Sequence, residues 1–497
     1  MIEITAICRF HLTFEPASRH NPLNTDMNPK LIALIILSLP FVAAAEIQLA
    51  TFALDVTPPP GHACMGGGVA PIQRVGEPLQ ARGFVLMGDG QPFVVVSFDW
   101  CEIRGSAYDD WRAALAEAAG TVPQRVLVTS THVHDAPVMD PEAEFILREA
   151  EHSGAWKDLP APDAQARIQL ASVCWPDFNR LCIQRARLKV KEALTKPQRV
   201  THIGTGSAEV REVASNRRYL LPDGGVRYNR MSRNSLPEAA AAGVGEIDPL
   251  LRTLSFWDGD TLLCALHSYA VHPMSYYGTG ETSIDFVGLA REQLQKEMPT
   301  AFHIYATGCA GNVTAGKFND GARANRPKLT SRIADAMHAA LKNTTKQPLQ
   351  HIGFRLAKIP LAARTAPDEF TEAALRNRLL TSPVPFMRAE AAMGLSWYQR
   401  VQSGHQIDLP LLDFGSAKLM LLPAEAYVDF QLYATQLVPG EFLLVMGYGE
   451  CGPGYIPIER AWRERDSNLR DWTWVGPGSE ATLKHAIDEV LTPKSAR

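Results

Sequence analysis

The sequence predicts an α/β fold, with mixed β-sheets and flanking helices in one large domain. Three observations carry that expectation. Segments of strand and helix character alternate along the length. A content of 46% hydrophobic and 21% charged residues is a globular balance. No Ser/Gly linker, shift of composition or internal repeat divides the 497 residues. The formal charge of −4 gives no electrostatic footing for nucleic acid.

The first 45 residues stand apart from that fold. Met27 precedes Asn28-Pro29-Lys30, an apolar run from Leu31 to Val42, and Ala43-Ala44-Ala45. One basic residue, a short apolar run and a small-residue end form the pattern of a secretory signal peptide at 27–45. The run falls short of the ~20 residues of a membrane span. Residues 1–26 are therefore expected to be a mis-assigned start or disordered. Residues 46–497 become the mature chain, secreted or periplasmic, with no transmembrane span. Seven cysteines remain in it, from Cys64 to Cys451. An odd number leaves at least one unpaired, and the absence of CxxC argues against a structural zinc knot.

Along the mature chain, Phe84 to Met87 and Phe93 to Phe98 read as two strands around a Gly-Asp-Gly turn. A helix is expected over 108–119, then a short buried strand at 125–129. Residues 177–195 form an amphipathic helix with basic residues near its end. Strands follow at 261–271, 301–307 and 417–422, and helices at 286–297 and 328–342. Residues 138–175, rich in Pro, Asp and Glu, read as a surface insertion.

Chemistry-bearing residues gather after the strands. Thr131-His132-Val133-His134-Asp135 follows the strand 125–129 directly, and its two histidines share one face of an extended segment. A metallo-β-lactamase pattern fails, because Ala136 and Pro137 stand where Asp and His are needed. His272 follows the strand 261–271, with His267 as a competing candidate. Gly311 to Lys317 resembles a phosphate loop. However, Phe318 replaces the Mg²⁺-holding hydroxyl and a turn replaces the following helix, which excludes a nucleotide site. Glu425 follows the strand 417–422, and a glycine-rich loop carries Tyr448 and Tyr455.

In order, these segments resemble the catalytic domain of the neutral/alkaline ceramidase family. Leu54-Asp55-Val56-Thr57-Pro58 resembles an early Asp-Ile-Thr-Pro segment, and Ser130-Thr131-His132-Val133-His134 a Thr-His-Thr-His-Ser motif. Ser215-Asn216-Arg217-Arg218 matches an Asn-Arg element. Ala270-Val271-His272-Pro273, with Ser283-Ile284-Asp285 downstream, matches the second histidine motif. Gly311-Asn312-Val313-Thr314 lies where the family has Gly-Asp-Val-Ser, and Pro423-Ala424-Glu425 where it has Pro-Gly-Glu. Gly454-Tyr455-Ile456-Pro457 closes the series, which runs from about Asp55 to the C-terminus.

The resemblance implies one Zn²⁺ held by His132, His272, Glu425 and Tyr455, acting on a small-molecule or lipid amide substrate. It further implies Arg217 as oxyanion stabiliser, His134 as proton shuttle, and Thr314 in the place of a catalytic serine, with metal-activated water as the preferred nucleophile. Asp135, Asn312 and Thr314 depart from the family pattern, and Asp135 is expected to add negative charge near the metal. Two other readings stay open: an esterase or amidase of non-lipid substrates, and a non-catalytic exported binding protein.

Overall fold

The computed structural model describes residues 46–492 except Asp89, residues 164–165, 167–168 and Pro367. The segments 1–26 and 27–45, with the expected signal peptide, lie outside the described residues. Three mixed sheets share one construction. In each, three antiparallel strands lead into a helix, a fourth strand parallel to the third, and a second helix.

The first such unit comprises strands Gln48–Asp55, Gln80–Met87 and Phe93–Phe98, helix Gly105–Ala119, strand Val126–Ser130 and helix Pro176–Ala193. The second comprises strands His202–Glu209, Leu250–Asp258 and Thr261–Tyr269, helix Asp285–Glu297, strand Phe302–Thr307 and helix Asn325–Lys342. The third comprises strands Gly353–Ile359, Ile407–Asp413 and Ala417–Leu421, helix Val428–Leu437, strand Phe442–Met446 and helix Ser479–Leu491. In every unit the second helix packs on the first helix and on the first strand. This corrects the expectation that no repeat is present. The units share only alternation of apolar residues, so the repeat is one of topology and not of sequence.

Period-two alternation explains how the sheets stack. Phe84, Leu86, Val95 and Leu127 of the first sheet meet Leu254, Phe256 and Ile304 of the second in one buried cluster. Leu419, Leu421 and Leu444 of the third complete it. The intervening Val85, Val94, Val96 and Val128 face the helices instead. Strands buried on both faces read as continuous apolar runs, which is why 125–129 and 301–307 were legible. Gly120, at φ +70°, ends helix Gly105–Ala119 in the left-handed conformation that glycine adopts without strain.

Two segments differ from the sequence reading. The expected surface insertion 138–175 is exposed only in its middle. Its first part is helix Pro141–His152, capped by the Asp140 carboxylate accepting from the Ala143 N–H at 3.1 Å. That helix buries Ile146 and Leu147 against helix Pro385–Gln402. The second helix was not anticipated. It buries Ala389, Ala391, Ala392, Met393 and Leu395, and so shows no clean polar face. All seven cysteines of the described residues are buried and unpaired. Among the described residues no helix is long and apolar enough to cross a membrane.

The ends of the fourth strands are laced together. The Ser130 N–H donates to the Tyr448 carbonyl at 3.2 Å and the Gly447 N–H to that of Thr307 at 2.8 Å. The Thr307 hydroxyl donates to the Thr131 carbonyl and that of Thr129 to the Gly447 carbonyl, both at 2.7 Å. Loops leaving all three sheets therefore converge at one end. Nearby, the Arg291 guanidinium grips both oxygens of Asp99 at 2.8 and 3.1 Å, joining the first unit to the second. Both residues are buried, so removing one partner strands a charge. Arg291→Met is expected to cost about 3–5 kcal/mol in denaturant unfolding, and Asp99→Asn in the same chain to recover part of it.

Candidate metal centre

Three side chains meet where the loops converge, one from each unit. His132 lies two residues past the fourth strand of the first unit, with its N–H donating to the Trp100 carbonyl at 3.0 Å. His272 lies just past the third strand of the second unit. Glu425 lies past the third strand of the third unit and pairs in parallel with Tyr455. His132 sits at φ +64°, and Ala424 and Tyr448 at +51° and +55°. Non-glycine residues adopt that region at a cost, and they cluster at functional sites.

The donor atoms form a small triangle. His132 Nε2 is 3.2 Å from His272 Nε2 and 3.1 Å from Glu425 Oε2, which is 3.0 Å from His272 Nε2. Both Nδ1 atoms face carbonyls: His132 meets Cys101 O at 2.9 Å and His272 meets Ala310 O at 2.5 Å. A carbonyl can only accept, so both Nδ1 atoms carry protons, and in the neutral rings both Nε2 atoms present lone pairs. Two nitrogen lone pairs and a carboxylate oxygen then converge among buried side chains. They repel one another unless a positive charge lies between them. Ligands 2.0–2.1 Å from a tetrahedral ion stand about 3.3 Å apart, close to the edges seen here. The residues present thus fit a divalent cation.

A proton is the ion's competitor. Burial alone would lower the His132 pKa, but Glu425 and Glu102 outweigh it and raise the value. His272 is lowered to about 4 by burial and by Arg217. Burial would raise Glu425, yet the two histidines hold it well below the carboxylate range. Glu102, pushed up to about 7 by burial against the pull of Arg104, lies behind His132. Tyr448 stacks on the His132 ring at 4.3 Å and 25°.

The other expected site residues divide. Tyr455 reaches the same place: its hydroxyl accepts at 2.9 Å from Arg217 Nη1, the guanidinium that also faces His272, and burial raises its pKa. Arg217 is buried; its Nη2 is 3.4 Å from His272 Nε2 and its Nε has no partner among the described residues. His134 donates from Nδ1 to the His132 carbonyl at 3.1 Å, and its pKa falls well below the histidine value through burial and the neighbouring histidines.

Thr314 is a correction. Its hydroxyl faces the Arg230 and Met231 carbonyls at 3.3 and 3.4 Å, accepts from the Gly316 N–H at 3.1 Å, and does not line the cavity. Asp135 is another, since its carboxylate turns to the Gly278 N–H at 2.7 Å and the Thr279 hydroxyl at 3.4 Å. His267 bonds Thr253 and His303 in the core of the second sheet. Lys317, of the phosphate-loop look-alike, donates to the Ala240 and Ala242 carbonyls. Asn312 holds the Val428 N–H and Asp429, while its carbonyl accepts from the Arg217 N–H at 2.7 Å.

A cavity of about 480 Å³ opens on the triangle and reaches His134, Arg217 and Tyr455. That size suits a small-molecule site. Met65, Met231, Met274 and Phe386 supply its apolar wall. Sequence reasoning missed Cys101 and Ala310, whose contribution is a carbonyl and carries no residue-type signal. It also missed Trp472 and Glu390, which come from segments with no motif.

His132→Ala and His272→Ala are each expected to lose the bound divalent ion in elemental analysis of the folded protein. A Cβ on Gly311 would stand 2.1 Å from the Glu425 carbonyl oxygen, so Gly311→Ala displaces that ligand; a drop of about 10–100-fold in metal affinity is expected. Because the raised pKa of His132 keeps a proton there to higher pH, metal affinity should rise with pH through neutrality and level off once His132 is deprotonated.

No family model matches the chain, and no curated protein matches its sequence. Among solved structures, neutral ceramidase from Pseudomonas aeruginosa is similar with a TM-score of 0.62 and 17% identity, covering 90% of this chain and 74% of the other. A ceramidase complexed with C2 is similar with a TM-score of 0.60 and 16% identity, over 90% and 75% of the two chains. Mixed sheets with flanking helices, as the sequence predicted, are here arranged in the ceramidase fold.

Proposed function

We propose that the protein is an exported, zinc-dependent hydrolase of an N-acyl amide bond in a ceramide-like or related substrate. The observation that carries this reading is the convergence of His132 Nε2, His272 Nε2 and Glu425 Oε2 beside a largely apolar cavity that His132 and Glu425 line. Two neutral imidazoles and a carboxylate are a zinc donor set with room left for a further ligand. A zinc ion there would supply a water of lowered pKa and polarise a substrate carbonyl. The likeness to ceramidase structures supports an amide as the bond cleaved, while the apolar run Leu31 to Val42 ending in Ala43-Ala44-Ala45 supports a signal peptide at 27–45 and a catalytic domain at 46–497.

The chain's own groups divide the remaining work. Arg217 directs Nη2 toward the triangle and holds an unpartnered Nε, so it can stabilise the negative charge that develops on the carbonyl oxygen. Tyr455 accepts from Arg217, and its own O–H has no acceptor among the described residues. That proton is free to reach the same oxygen. His134 is neutral, and its Nδ1–H is anchored on the His132 carbonyl. Its Nε2 can take a proton from the attacking water and return it to the departing amine nitrogen. Collapse of the tetrahedral intermediate then breaks the C–N bond and leaves a carboxylic acid and an amine. Burial of the Thr314 hydroxyl supports water as the nucleophile.

Assay of the zinc-loaded chain on long-chain and short-chain N-acyl amines, with esters alongside, tests the proposal. Turnover should stop with a chelator and return with zinc. His134→Ala should lower kcat by about 10²–10⁴-fold and Arg217→Lys by about 10²–10³-fold, each with metal content unchanged. Zinc bound with every amide and ester untouched would contradict the hydrolase reading and favour the binding protein. The exported form should begin at Glu46, as N-terminal sequencing would read.

A further inference from the structure

Glu390 is a buried carboxyl, 5% exposed, on the cavity wall. It comes from helix Pro385–Gln402, which lies between the first two strands of the third sheet and outside the three-unit repeat. Its Oε1 accepts from the Trp472 N–H at 3.3 Å, a long bond. Its Oε2 is 3.7 Å from Arg378 Nη1, beyond hydrogen-bond range. A carboxylate offers about four acceptor positions, so most of this group's capacity is unused. Phe386 and Trp472 stack beside it at 6.0 Å and 22°, which keeps its surroundings apolar.

A carboxylate met by its own chain with only one long hydrogen bond and a distant guanidinium keeps acceptor positions open, and inside a binding cavity a ligand can supply the further donor. We propose that Glu390 is a specificity-determining residue that accepts an O–H or N–H carried on the amine side of the substrate, next to the Phe386–Trp472 wall. This rests on the hydrolase reading above and names what its substrate must carry. An acyl tail has no donor, whereas the amine portion of an N-acyl amide commonly does. Burial and Asp471 push the Glu390 pKa up to about 7. The group is therefore partly protonated at neutral pH, and suits a hydroxyl as well as an ammonium. Arg378 beside it, and Arg470 on the same wall, keep the cavity from being an acidic trap for any cation.

Dodecanoyl amides whose amine side ends in a hydroxyl, an ammonium or a methyl group, at graded lengths, provide the test. Wild type should prefer the donor-bearing heads over methyl by about tenfold or more in kcat/KM. Glu390→Ala should bring that ratio near one while leaving turnover of the methyl-headed amide within about twofold. Glu390→Gln, the variant that keeps shape, should retain the hydroxyl preference and lose any ammonium preference. The two donor-bearing heads separate a hydroxyl partner from a cationic one. An unchanged ratio in both variants would overturn the proposal, since a merely structural glutamate lowers all substrates alike.

Binding of a dodecyl chain ending in alcohol, amine or methyl ether to the zinc-loaded protein, read by tryptophan fluorescence, separates the two readings. Donor-selective binding lost in Glu390→Ala, with no amide cleaved, would sink the hydrolase and keep this role for Glu390. Cleavage without donor selectivity would do the reverse.

Discussion

Mutual repulsion among three electron-rich atoms is the constraint around which the rest of the structure is arranged. His132 Nε2, His272 Nε2 and Glu425 Oε2 lie within 3.0–3.2 Å of one another at the buried end of three sheets. Without a metal ion or a proton between them, those atoms would push one another apart. The arrangement persists because each group is held from behind: one histidine by the Cys101 carbonyl, the other by that of Ala310, and the glutamate by the short pairing with Tyr455. Those anchors stand on the laced strand ends, and the laced ends stand on three packed sheets. The fold thus holds a cation site against its own electrostatics.

The threefold construction explains why one such site exists. Each unit brings the ends of its third and fourth strands to the same end of the molecule. One ligand per unit then suffices, and the spare strand ends supply the supporting groups. The first unit's third strand leads to Cys101, the second unit's fourth strand to Ala310, and the third unit's fourth strand to Tyr448. Substrate-facing residues come from elsewhere. Glu390 and Phe386 ride on a helix outside the repeat, and Trp472 on the loop before the last helix. Chemistry and recognition are built from different parts of the chain.

Much of the frame was legible in the sequence, for a physical reason. Strands buried on both faces, such as 126–130 and 302–307, are continuous apolar runs, and helices such as Asn325–Lys342 keep a polar face. Helix Pro385–Gln402 is buried nearly all round and left no such signal. The repeat was hidden because packing demands only that residues be apolar, not that they be the same. At the site, His132, His272 and Glu425 were visible as polar residues directly after strands. The assignment of Thr314 failed because position along the chain does not reveal which way a hydroxyl turns, and here two carbonyls hold it away from the cavity. Carbonyl anchors cannot be read from residue type at all.

Every role assigned to these residues depends on a bound ion. X-ray absorption at the zinc edge, on the mature chain purified without added metal and then loaded with one equivalent, reads both occupancy and ligand type. One zinc per chain with two imidazole nitrogens and carboxylate oxygen in its shell, lost in His272→Ala, is the expected result. A chain that folds and retains no zinc, or a zinc shell without imidazole, would contradict it.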